Sequence, residues 1–373
     1  MTPGVTPGVT PAPACRWNGM LVRRVTALSS LLLALAVAVP VAATAPAQAA
    51  GTPTYAPLDR PGPTLSVDPA KLKASLACHG DPATGGEPVL LNPATSVTPD
   101  QDYGWTYEKA FTAQKRYWCA VTMPFHTFGD IQTAGQYLVH AIRVMHHRAG
   151  RRIAVLGHSQ GGMSMRWALR FWPDTRPMVA DVIGMAGSNH GTTALPVCGR
   201  LDLTTCTPAV WQQQANAQFI TALNSRAETF AGISYTEIYS HTDEVVMPNS
   251  SASNSSSSLH TGAGRITNVA TQDVCPTDLY EHLLVGTIDP TTYALVMDAL
   301  RHDGPADPAR IGTSSCSKVY MPYVDPASVD TYLQPLSALP SLVSTSLPLV
   351  TFSGAPMLAA EPKLRCYVYA AGC

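Results

Sequence analysis

The chain is poor in charge: only 13% of its 373 residues are Asp, Glu, Lys or Arg, and the formal net charge is −1. A near-neutral chain offers no electrostatic attraction to nucleic acid or to an acidic membrane surface, so we expect neither as a partner. Beyond residue 49 no segment is apolar over the length of a bilayer, so the mature chain is predicted to lack a transmembrane segment. Internal repeats of solenoid period are also lacking, which excludes a stacked-repeat array.

Cysteines and histidines spaced for metal binding are lacking as well. No Cys-x-x-Cys pair and no Cys/His cluster has the spacing of a zinc site, so we expect no metal. Nine cysteines are present, and eight remain once Cys15 is removed with the N-terminal segment described next. An even number of cysteines in the mature chain fits disulfides formed in an oxidising compartment.

The N-terminus has the features of a secretory signal. Arg23 and Arg24 form a short basic region, residues 28–41 are mainly apolar, and residues 47–49 offer a signal peptidase the small side chains of Ala-Gln-Ala. We therefore predict a signal peptide over residues 1–49, with Met20 as an alternative start, and a secreted, extracellular protein. Residues 50–75 are rich in Pro, Thr and Ala and are predicted to be an exposed leader to a domain over 76–373.

A strand, a sharp turn and a helix are predicted around residue 159. Residues 153–156 form a short apolar run, residues 157–161 read Gly-His-Ser-Gln-Gly, and residues 163–171 show helical spacing. The middle segment matches the G-x-S-x-G turn, whose glycines let the strand reverse into the helix without clashes. Such a turn exposes the Ser159 hydroxyl and puts the Gln160 N–H at a helix N-terminus, where negative charge is favoured. Ser159 is therefore a candidate nucleophile, with an ordinary Gly-rich turn as the alternative.

Strands and helices alternate along the chain. The sequence predicts strands at 88–92, 118–123, 153–156, 182–186, 233–240 and 265–271, and further helices at 133–147 and 208–230. This alternation favours an α/β fold with a mainly parallel central sheet flanked by helices. In such sheets the functional site gathers at the carboxyl ends of the strands, where Ser159 lies. The Ser-rich run 249–258 is predicted to be a mobile surface loop.

A nucleophilic serine requires two further side chains. A histidine must take the hydroxyl proton, and a carboxylate must hold that histidine in the correct tautomer. In hydrolases with this turn the order along the chain is Ser, then Asp or Glu, then His. Asp243 is the first acid after the fifth predicted strand, with Glu244 as the alternative. His282 is the candidate base, and His260 and His302 compete with it on position alone.

Two other histidines lie near the expected site. His158 directly precedes the candidate nucleophile, and strand alternation points its side chain away from the site, so we assign it no catalytic role. His190 follows the strand predicted at 182–186. A position lining the mouth of the site is the less favoured of its interpretations.

The sequence resembles the Candida antarctica lipase B family of secreted α/β-hydrolases, with its bacterial relatives, in five segments: 89–95, 157–162, 210–213, 239–246 and 275–282. The resemblance runs over about 65–373, and its most specific segment is 239–246, Tyr-Ser-His-Thr-Asp-Glu-Val-Val. It implies an α/β-hydrolase catalytic domain over 76–373. It also implies ester hydrolysis through an acyl-enzyme, without a metal or an organic cofactor.

Site residues follow from the resemblance. It implies Ser159 as nucleophile, Asp243 as orienting acid and His282 as base. The backbone N–H groups of Thr95 and Gln160, with the Thr95 hydroxyl as a further candidate donor, are implied as the oxyanion hole. Disulfides are implied at Cys78–Cys119, Cys275–Cys316 and Cys366–Cys373, and the remaining pair, Cys198 and Cys206, is expected to bridge locally.

The chain also departs from the family pattern. Ala94, Ser96 and Val97 stand where the family has a Gly-rich oxyanion loop, and Ser188 stands where it has an aspartate at the mouth. The Cys198–Cys206 segment falls where the family has a small lid-like helix. A bridge there leads us to expect a rigid, partly open mouth with little interfacial activation.

The predicted function is that of a secreted, monomeric serine lipase or esterase, similar to triacylglycerol lipases. Its expected partner is a carboxylic ester, an acylglycerol or similar lipid-like molecule, met at a lipid–water interface. Short-chain carboxylesterase, polyester hydrolase and acyltransferase activities use the same residues and stay open as alternatives. From a different class, the alternative is a non-catalytic binding protein that keeps the fold and has lost the chemistry.

Overall fold

A seven-stranded sheet lies at the centre of the computed structural model, which describes residues 54–194, 205–337 and 354–373. The strands in this part of the chain are β1 Leu76–His79, β2 Val89–Asn92, β3 Trp118–Val121, β4 Ile153–His158, β5 Val179–Met185, β6 Ser234–Tyr239, β7 Asn249–Ser251, β8 Asn254–Ser255 and β9 Arg265–Ala270. The order across the large sheet is β1-β3-β2-β4-β5-β6-β9, and β7 and β8 form a separate antiparallel hairpin. Strand β1 is antiparallel to β3, and every other neighbouring pair in the large sheet is parallel.

Helices flank this sheet. Within the described ranges they are α1 Pro69–Ala74, α2 Pro99–Tyr103, α3 Tyr107–Ala113, α4 Ile131–Ala149, α5 Gln160–Phe171, α6 Pro208–Gln212, α7 Gln218–Leu223, α8 Thr271–Val274, α9 His282–Thr287, α10 Pro290–Ala299, α11 Pro308–Ile311 and α12 Val329–Ser337. None of them is long and apolar enough to cross a membrane. The predicted mainly parallel sheet flanked by helices is confirmed.

The central strands are buried on both faces. Every residue of β4 is buried, and its side chains alternate between two apolar clusters. Val155 packs into the cluster that holds α4 and α5, whereas Ala154 and Leu156 pack into the cluster that holds α3 and α10. A strand covered on both sides has no polar face, which explains why its sequence is a continuous apolar run.

The helix predicted over 208–230 is two short helices, α6 and α7, so its continuity was wrong. The chain between them pairs with the segment that follows β5: the Thr192 N–H donates to the Gln213 carbonyl at 2.8 Å, and the Ala215 N–H donates to the Thr192 carbonyl at 3.1 Å. These long-range bonds replace the helical ones that the local pattern favoured. They also bring Gln213 into the site described below.

The Ser-rich run 249–258 is exposed at residues 250 and 252–254, but the predicted surface loop was wrong for residues 255–258. It forms the β7–β8 hairpin, and residues 255–258 are all buried. The Ser256 carbonyl accepts from the His190 N–H at 2.8 Å, and the Ser257 carbonyl accepts from the Asn189 side chain at 2.7 Å. Small hydroxyl side chains fit here because the backbone of this segment bonds to its neighbours at close range.

Residues 54–75, part of the leader expected over 50–75, contact the domain at several points, although many of them are exposed. Tyr55 pairs with Tyr369 as an isolated β-bridge, and the Ala56 N–H donates to the Val368 carbonyl at 2.8 Å. Ala56 is buried, and Leu72 of α1 is buried in the cluster that holds α4.

Three of the expected disulfides are present: Cys78–Cys119, Cys275–Cys316 and Cys366–Cys373. The first joins β1 to β3 at residues that face each other in the antiparallel register. The second anchors the segment that leads to His282. Cys198 lies outside the described residues, so the expected Cys198–Cys206 bridge and the rigid mouth inferred from it stay predictions. Residues 1–49, the predicted signal peptide, lie outside them too.

Candidate active site

The turn between β4 and α5 holds Ser159 in a strained backbone conformation. Its φ is 55° and its ψ is −122°, a combination that L-residues rarely adopt. Glycine is required on both sides of it. A Cβ built on Gly157 would lie 2.3 Å from the Gly161 carbonyl carbon, and one on Gly161 would lie 2.1 Å from the Asn92 carbonyl oxygen. The glycines therefore allow the close approach that the sequence motif predicted.

Ser159, His282 and Asp243 are hydrogen-bonded in series. The distance from Ser159 Oγ to His282 Nε2 is 2.9 Å, and the distance from His282 Nδ1 to Asp243 Oδ2 is 2.8 Å. All three side chains are buried. Three strand-end segments supply them, because Ser159 follows β4, Asp243 follows β6, and His282 starts α9 beyond β9. The order and the spacing are those of a nucleophile, its base and an orienting acid.

Backbone N–H groups fix the acid, and a side-chain cap fixes the start of the helix that carries the base. Asp243 Oδ1 accepts from the N–H groups of Val245 and Val246, both at 2.8 Å, which leaves Oδ2 for His282. Glu281 caps α9 by accepting from the Leu283 N–H at 2.7 Å. The Asp243 carboxylate is thus held by main-chain donors that do not depend on a substrate, and the imidazole is held by its hydrogen bond to that carboxylate.

Burial and charge act on His282 in opposite directions. Burial lowers the pKa of the imidazole, because the charged form loses its hydration. The Asp243 carboxylate raises that pKa through its charge and its hydrogen bond, and the charges of Glu244 and Glu281 add to the rise. The net effect is a pKa of His282 above its ordinary value.

The competing residues lie elsewhere. Glu244 is exposed, whereas Asp243 contacts His282. The His260 ring stacks on the His190 ring with their centroids 5.7 Å apart, and His302 bonds to Asp298 at the end of α10.

Thr95 and Gln160 lie side by side next to Ser159. The Thr95 hydroxyl donates to Gln160 Oε1 at 2.9 Å, and Gln213 Nε2 donates to both Thr95 Oγ1 and Gln160 Oε1, at 3.1 and 3.0 Å. Gln213 in turn accepts from the buried Ser188 hydroxyl at 3.1 Å. Among the described residues, no protein acceptor engages the backbone N–H of Thr95 or of Gln160. Two adjacent unengaged N–H groups suit a developing oxyanion.

The loop of residues 94–97, the candidate oxyanion loop, is held from both sides although it lacks glycine. Asp102 Oδ2 accepts from the Ala94 N–H at 2.8 Å, and the Thr127 hydroxyl donates to the Ala94 carbonyl at 2.7 Å. The Ser96 N–H donates to the His126 carbonyl and to Thr127 Oγ1, both at 2.8 Å. Ser96 has a φ of 74°, the left-handed value that glycine would adopt at no cost. The side chains of Asp102 and Thr127 therefore hold this loop in one conformation, which a Gly-rich loop would not have by itself.

His158 does not point away from the site, so that prediction was wrong. Its ring is buried, with Nδ1 2.9 Å from Asp102 Oδ1 and Nε2 3.1 Å from the His282 carbonyl oxygen. The ring centroids of His158 and His282 are 5.3 Å apart. Strand alternation fails as a guide here, because His158 is the last residue of β4 and the chain reverses at Ser159.

The other histidine considered near the site is His190. It bonds to Glu228 at 2.7 Å.

The sequence assigned no role to three residues of this region: Asp102, Thr127 and Gln213. Gln213 belongs to the conspicuous Trp-Gln-Gln of 211–213, which was the only signal for it. Asp102 follows β2, and β2 pairs in parallel with β4, with Asn92 opposite Gly157. Residues that follow these two strands must therefore meet at the same edge of the sheet, and this rule could have found the contact between Asp102 and His158.

Known proteins resemble this chain over the same region. Residues 136–282, which include Ser159, Asp243 and His282, match the family model of class 2 lipases. Lipase B of Pseudozyma antarctica is 32% identical over 262 residues, which cover 68% of this chain and 74% of that protein. The crystal structure of Aspergillus fumigatus lipase B matches with a TM-score of 0.69 at 30% identity, covering 83% of this chain and 74% of the other. The predicted α/β-hydrolase fold is confirmed.

Proposed function

Because the chain belongs to the lipase B family of carboxylic ester hydrolases, we propose that it is a secreted serine lipase or esterase that cleaves lipid-like esters through an acyl-enzyme. One observation carries the proposal: the unbroken hydrogen-bond series from Ser159 Oγ through His282 to Asp243. A binding protein that had lost its chemistry would have no reason to keep a strained serine in contact with a buried His–Asp pair.

The first half-reaction forms the acyl-enzyme. Asp243 accepts a hydrogen bond from the Nδ1–H of His282, which keeps that proton on Nδ1 and leaves the Nε2 lone pair free to accept the proton of the Ser159 hydroxyl. The serine oxygen then bonds to the ester carbonyl carbon, and the carbonyl oxygen becomes an oxyanion. His282 gives the proton from Nε2 to the departing alcohol, and the ester C–O bond breaks.

The second half-reaction releases the acid. Water enters in place of the alcohol, His282 takes a proton from it, and the hydroxide attacks the acyl carbon. The proton then returns to Ser159 as its bond to the acyl group breaks. An acyltransferase would differ only in which nucleophile takes the place of water.

The oxyanion is held by the backbone N–H groups of Thr95 and Gln160. Removing one donor of this kind costs about 3–4 kcal/mol, on the order of a hundredfold to a thousandfold in kcat. The Thr95 hydroxyl is already a donor to Gln160 Oε1, so it becomes a third oxyanion donor only if it leaves that partner. Holding the loop at Ala94 and Ser96 places these donors before the substrate arrives.

Ester length is the property to measure first. We propose hydrolysis of p-nitrophenyl esters from acetate to palmitate, with wild type, Ser159→Ala and the matched control Ser225→Ala, whose hydroxyl lies at the end of α7. Activity on long chains that is lost in Ser159→Ala and kept in Ser225→Ala would support a lipase. Activity on short chains alone would favour a carboxylesterase, and no Ser159-dependent activity at all would contradict the hydrolase.

Export is a part of the proposal. Three disulfides in the described chain fit an oxidising compartment, and residues 1–49 have the pattern of a signal peptide. N-terminal sequencing of protein from the culture medium should find a start after Ala49, and a start within residues 1–40 would contradict this cleavage. A monomeric enzyme acting at a lipid–water interface stays a prediction.

A further inference from the structure

A second buried His–Asp pair lies beside the proposed catalytic one. We propose that Asp102 and His158 are positioning residues: they connect the main chain of the oxyanion loop, at Ala94, to the main chain of the base, at His282. The proposal rests on the proposed function, since it concerns the geometry of that same reaction. Neither residue touches Ser159 in the hydrogen-bond series, so both act through the groups that they hold.

Three consecutive hydrogen bonds make the connection. The Ala94 N–H donates to Asp102 Oδ2 at 2.8 Å, Asp102 Oδ1 lies 2.9 Å from His158 Nδ1, and His158 Nε2 lies 3.1 Å from the His282 carbonyl oxygen. Both residues of the pair are almost completely buried, with exposed fractions of 1% each. The four residues come from four segments: the oxyanion loop, α2, the end of β4 and the start of α9.

The acceptors around His158 determine which of its two ring nitrogens carry a proton. A carbonyl oxygen can only accept, so Nε2 must carry a proton and donate it to His282. Nδ1 faces a carboxyl group, and the second oxygen of that group already accepts from the Ala94 N–H. A lone pair on Nδ1 opposite a lone pair on Oδ1 would be repulsive, so a proton lies between these two atoms. The pair is therefore neutral as a whole and donates to His282 in a fixed direction.

Packing holds the ring in place. A Cβ built on Gly286 of α9 would lie 2.2 Å from His158 Cδ2 and 2.3 Å from its Cγ, so glycine alone allows the ring to lie against this helix. The ring also lies next to that of His282, the first residue of the same helix, at a centroid distance of 5.3 Å. The helix that carries the base thus has a site shaped for the His158 ring.

The two ends of the connection are the parts of the site that must be aligned. Thr95, which offers the proposed oxyanion N–H, follows Ala94 directly. The base and the oxyanion donors act on the same carbonyl group, from opposite sides, and an error of 1 Å in such an alignment can cost about a hundredfold in rate. These two parts come from segments that are about 190 residues apart in the chain, so a direct connection between them has a clear purpose.

His158→Phe tests the connection, because it keeps a ring of similar size and removes both hydrogen bonds. We expect kcat per active site to fall about 10-fold to 100-fold, with KM changed less than about threefold, because His158 is buried and offers no surface to a substrate. Active sites are counted by fluorophosphonate titration. A merely structural role would lower the number of active sites and leave kcat per site unchanged.

Two substitutions of Asp102 by residues of similar size differ in whether they keep its hydrogen bonds. In Asp102→Asn the amide oxygen can accept from the Ala94 N–H and the amide nitrogen can donate to His158 Nδ1, so all three bonds are kept. We expect kcat within about threefold of wild type. Asp102→Leu removes two of the three bonds and should lower kcat as His158→Phe does. The double variant His158→Phe/Asp102→Leu should lose little more than either single one, since both break the same connection.

Asp298→Leu is the matched control. Asp298 is also a buried aspartate, on α10, and it accepts from the Asp307 N–H at 2.8 Å and from Arg310. Its loss should lower the melting temperature and leave kcat per site close to that of wild type. This variant shows what general destabilisation does to the rate.

Two results would overturn the proposal. One is kcat per site within threefold of wild type in both His158→Phe and Asp102→Leu. The other is Asp102→Asn as slow as Asp102→Leu, because a variant that keeps the bonds would then fail to keep the rate. The Asp102 variants decide the matter even if His158→Phe does not fold. If wild type itself shows no Ser159-dependent hydrolysis, the proposed function fails first, and the two failures are thereby distinguished.

Discussion

Two buried His–Asp pairs lie side by side at the carboxyl edge of the sheet, with their imidazole centroids 5.3 Å apart, and in only one of them does Nε2 face a group that can give up a proton. In both, an imidazole Nδ1 lies 2.8 or 2.9 Å from a carboxyl oxygen. The difference is the partner of Nε2. For His282 it is the Ser159 hydroxyl, which can give up a proton, and for His158 it is a backbone carbonyl, which has no proton to give and can only accept a hydrogen bond.

The partner of one nitrogen therefore decides the role of the whole pair. A histidine opposite a hydroxyl can change its protonation during a reaction, whereas a histidine opposite a carbonyl is held in a single state. Residue type, burial and the His–Asp distance do not separate the two pairs. The predictions below break or sharpen this comparison, from the largest expected effect to the smallest.

The largest difference is expected when each histidine is removed. His282→Ala should lower kcat on the order of 10⁶-fold, as loss of a catalytic base does in serine hydrolases, while His158→Phe should cost no more than about 100-fold. Ester hydrolysis at saturating substrate, corrected for active sites in His158→Phe, measures both. Equal losses in the two variants would mean that both histidines take part in proton transfer.

The next difference comes from the same substitution in both pairs. Asp243→Asn should cost about 10⁴-fold in kcat, because the amide donates to His282 Nδ1 and leaves the proton on Nε2, where the base must be free. Asp102→Asn should cost less than about threefold, because His158 already needs its proton on Nε2. The ratio of the two kcat values is the measurement, and similar losses would contradict the tautomers assigned here.

Thr95→Val tests the role of the Thr95 hydroxyl. Thr95 lies in the oxyanion loop, next to Ala94, which bonds to Asp102 of the Asp102–His158 pair. Because the Thr95 hydroxyl donates to Gln160 Oε1, its loss should remove one ordinary hydrogen bond near the site and lower kcat about tenfold. Thr95→Ser, which keeps the hydroxyl, should stay near wild type in the same assay. A loss of a hundredfold or more would show that the hydroxyl turns to the oxyanion during the reaction.

The smallest effect is a displacement of the pH profile. His282 must be neutral to accept the proton of Ser159, so kcat/KM should fall as pH falls through the pKa of His282. That pKa is raised above its ordinary value, so the midpoint of the acid limb should lie above about pH 6.5. Rates on p-nitrophenyl butyrate from pH 5 to 9 at constant ionic strength measure it, and a midpoint below 6.5 would contradict the net effect of Asp243.

Much of the candidate site was predictable because its residues follow strands in a fixed order. Ser159 was marked by its turn, and Asp243 by its place after a strand. His282 was one of three candidates until the resemblance to the lipase family selected it. Thr95 and Gln160 depended on that resemblance more heavily, since a backbone N–H leaves no trace in the sequence.

The features that could not be predicted from the sequence depend on contacts between distant segments of the chain. Asp102 and His158 are 56 residues apart, and their contact follows from the parallel pairing of β2 with β4. The serine run 249–258 looked like a polar loop because its composition is polar, yet its backbone bonds to the segment at Asn189 and His190. Local patterns describe local preferences, and long-range hydrogen bonds overrode them in both places.

Covalent labelling tests the central claim, an activated Ser159, most directly. Wild type, Ser159→Ala and Ser225→Ala are incubated with a fluorophosphonate, and intact mass and peptide mapping by mass spectrometry count and locate the adduct. We expect one adduct per chain in wild type and Ser225→Ala, located on Ser159, and none in Ser159→Ala. No adduct in folded wild type, or an adduct on another serine, would contradict the assignment of Ser159 as the nucleophile.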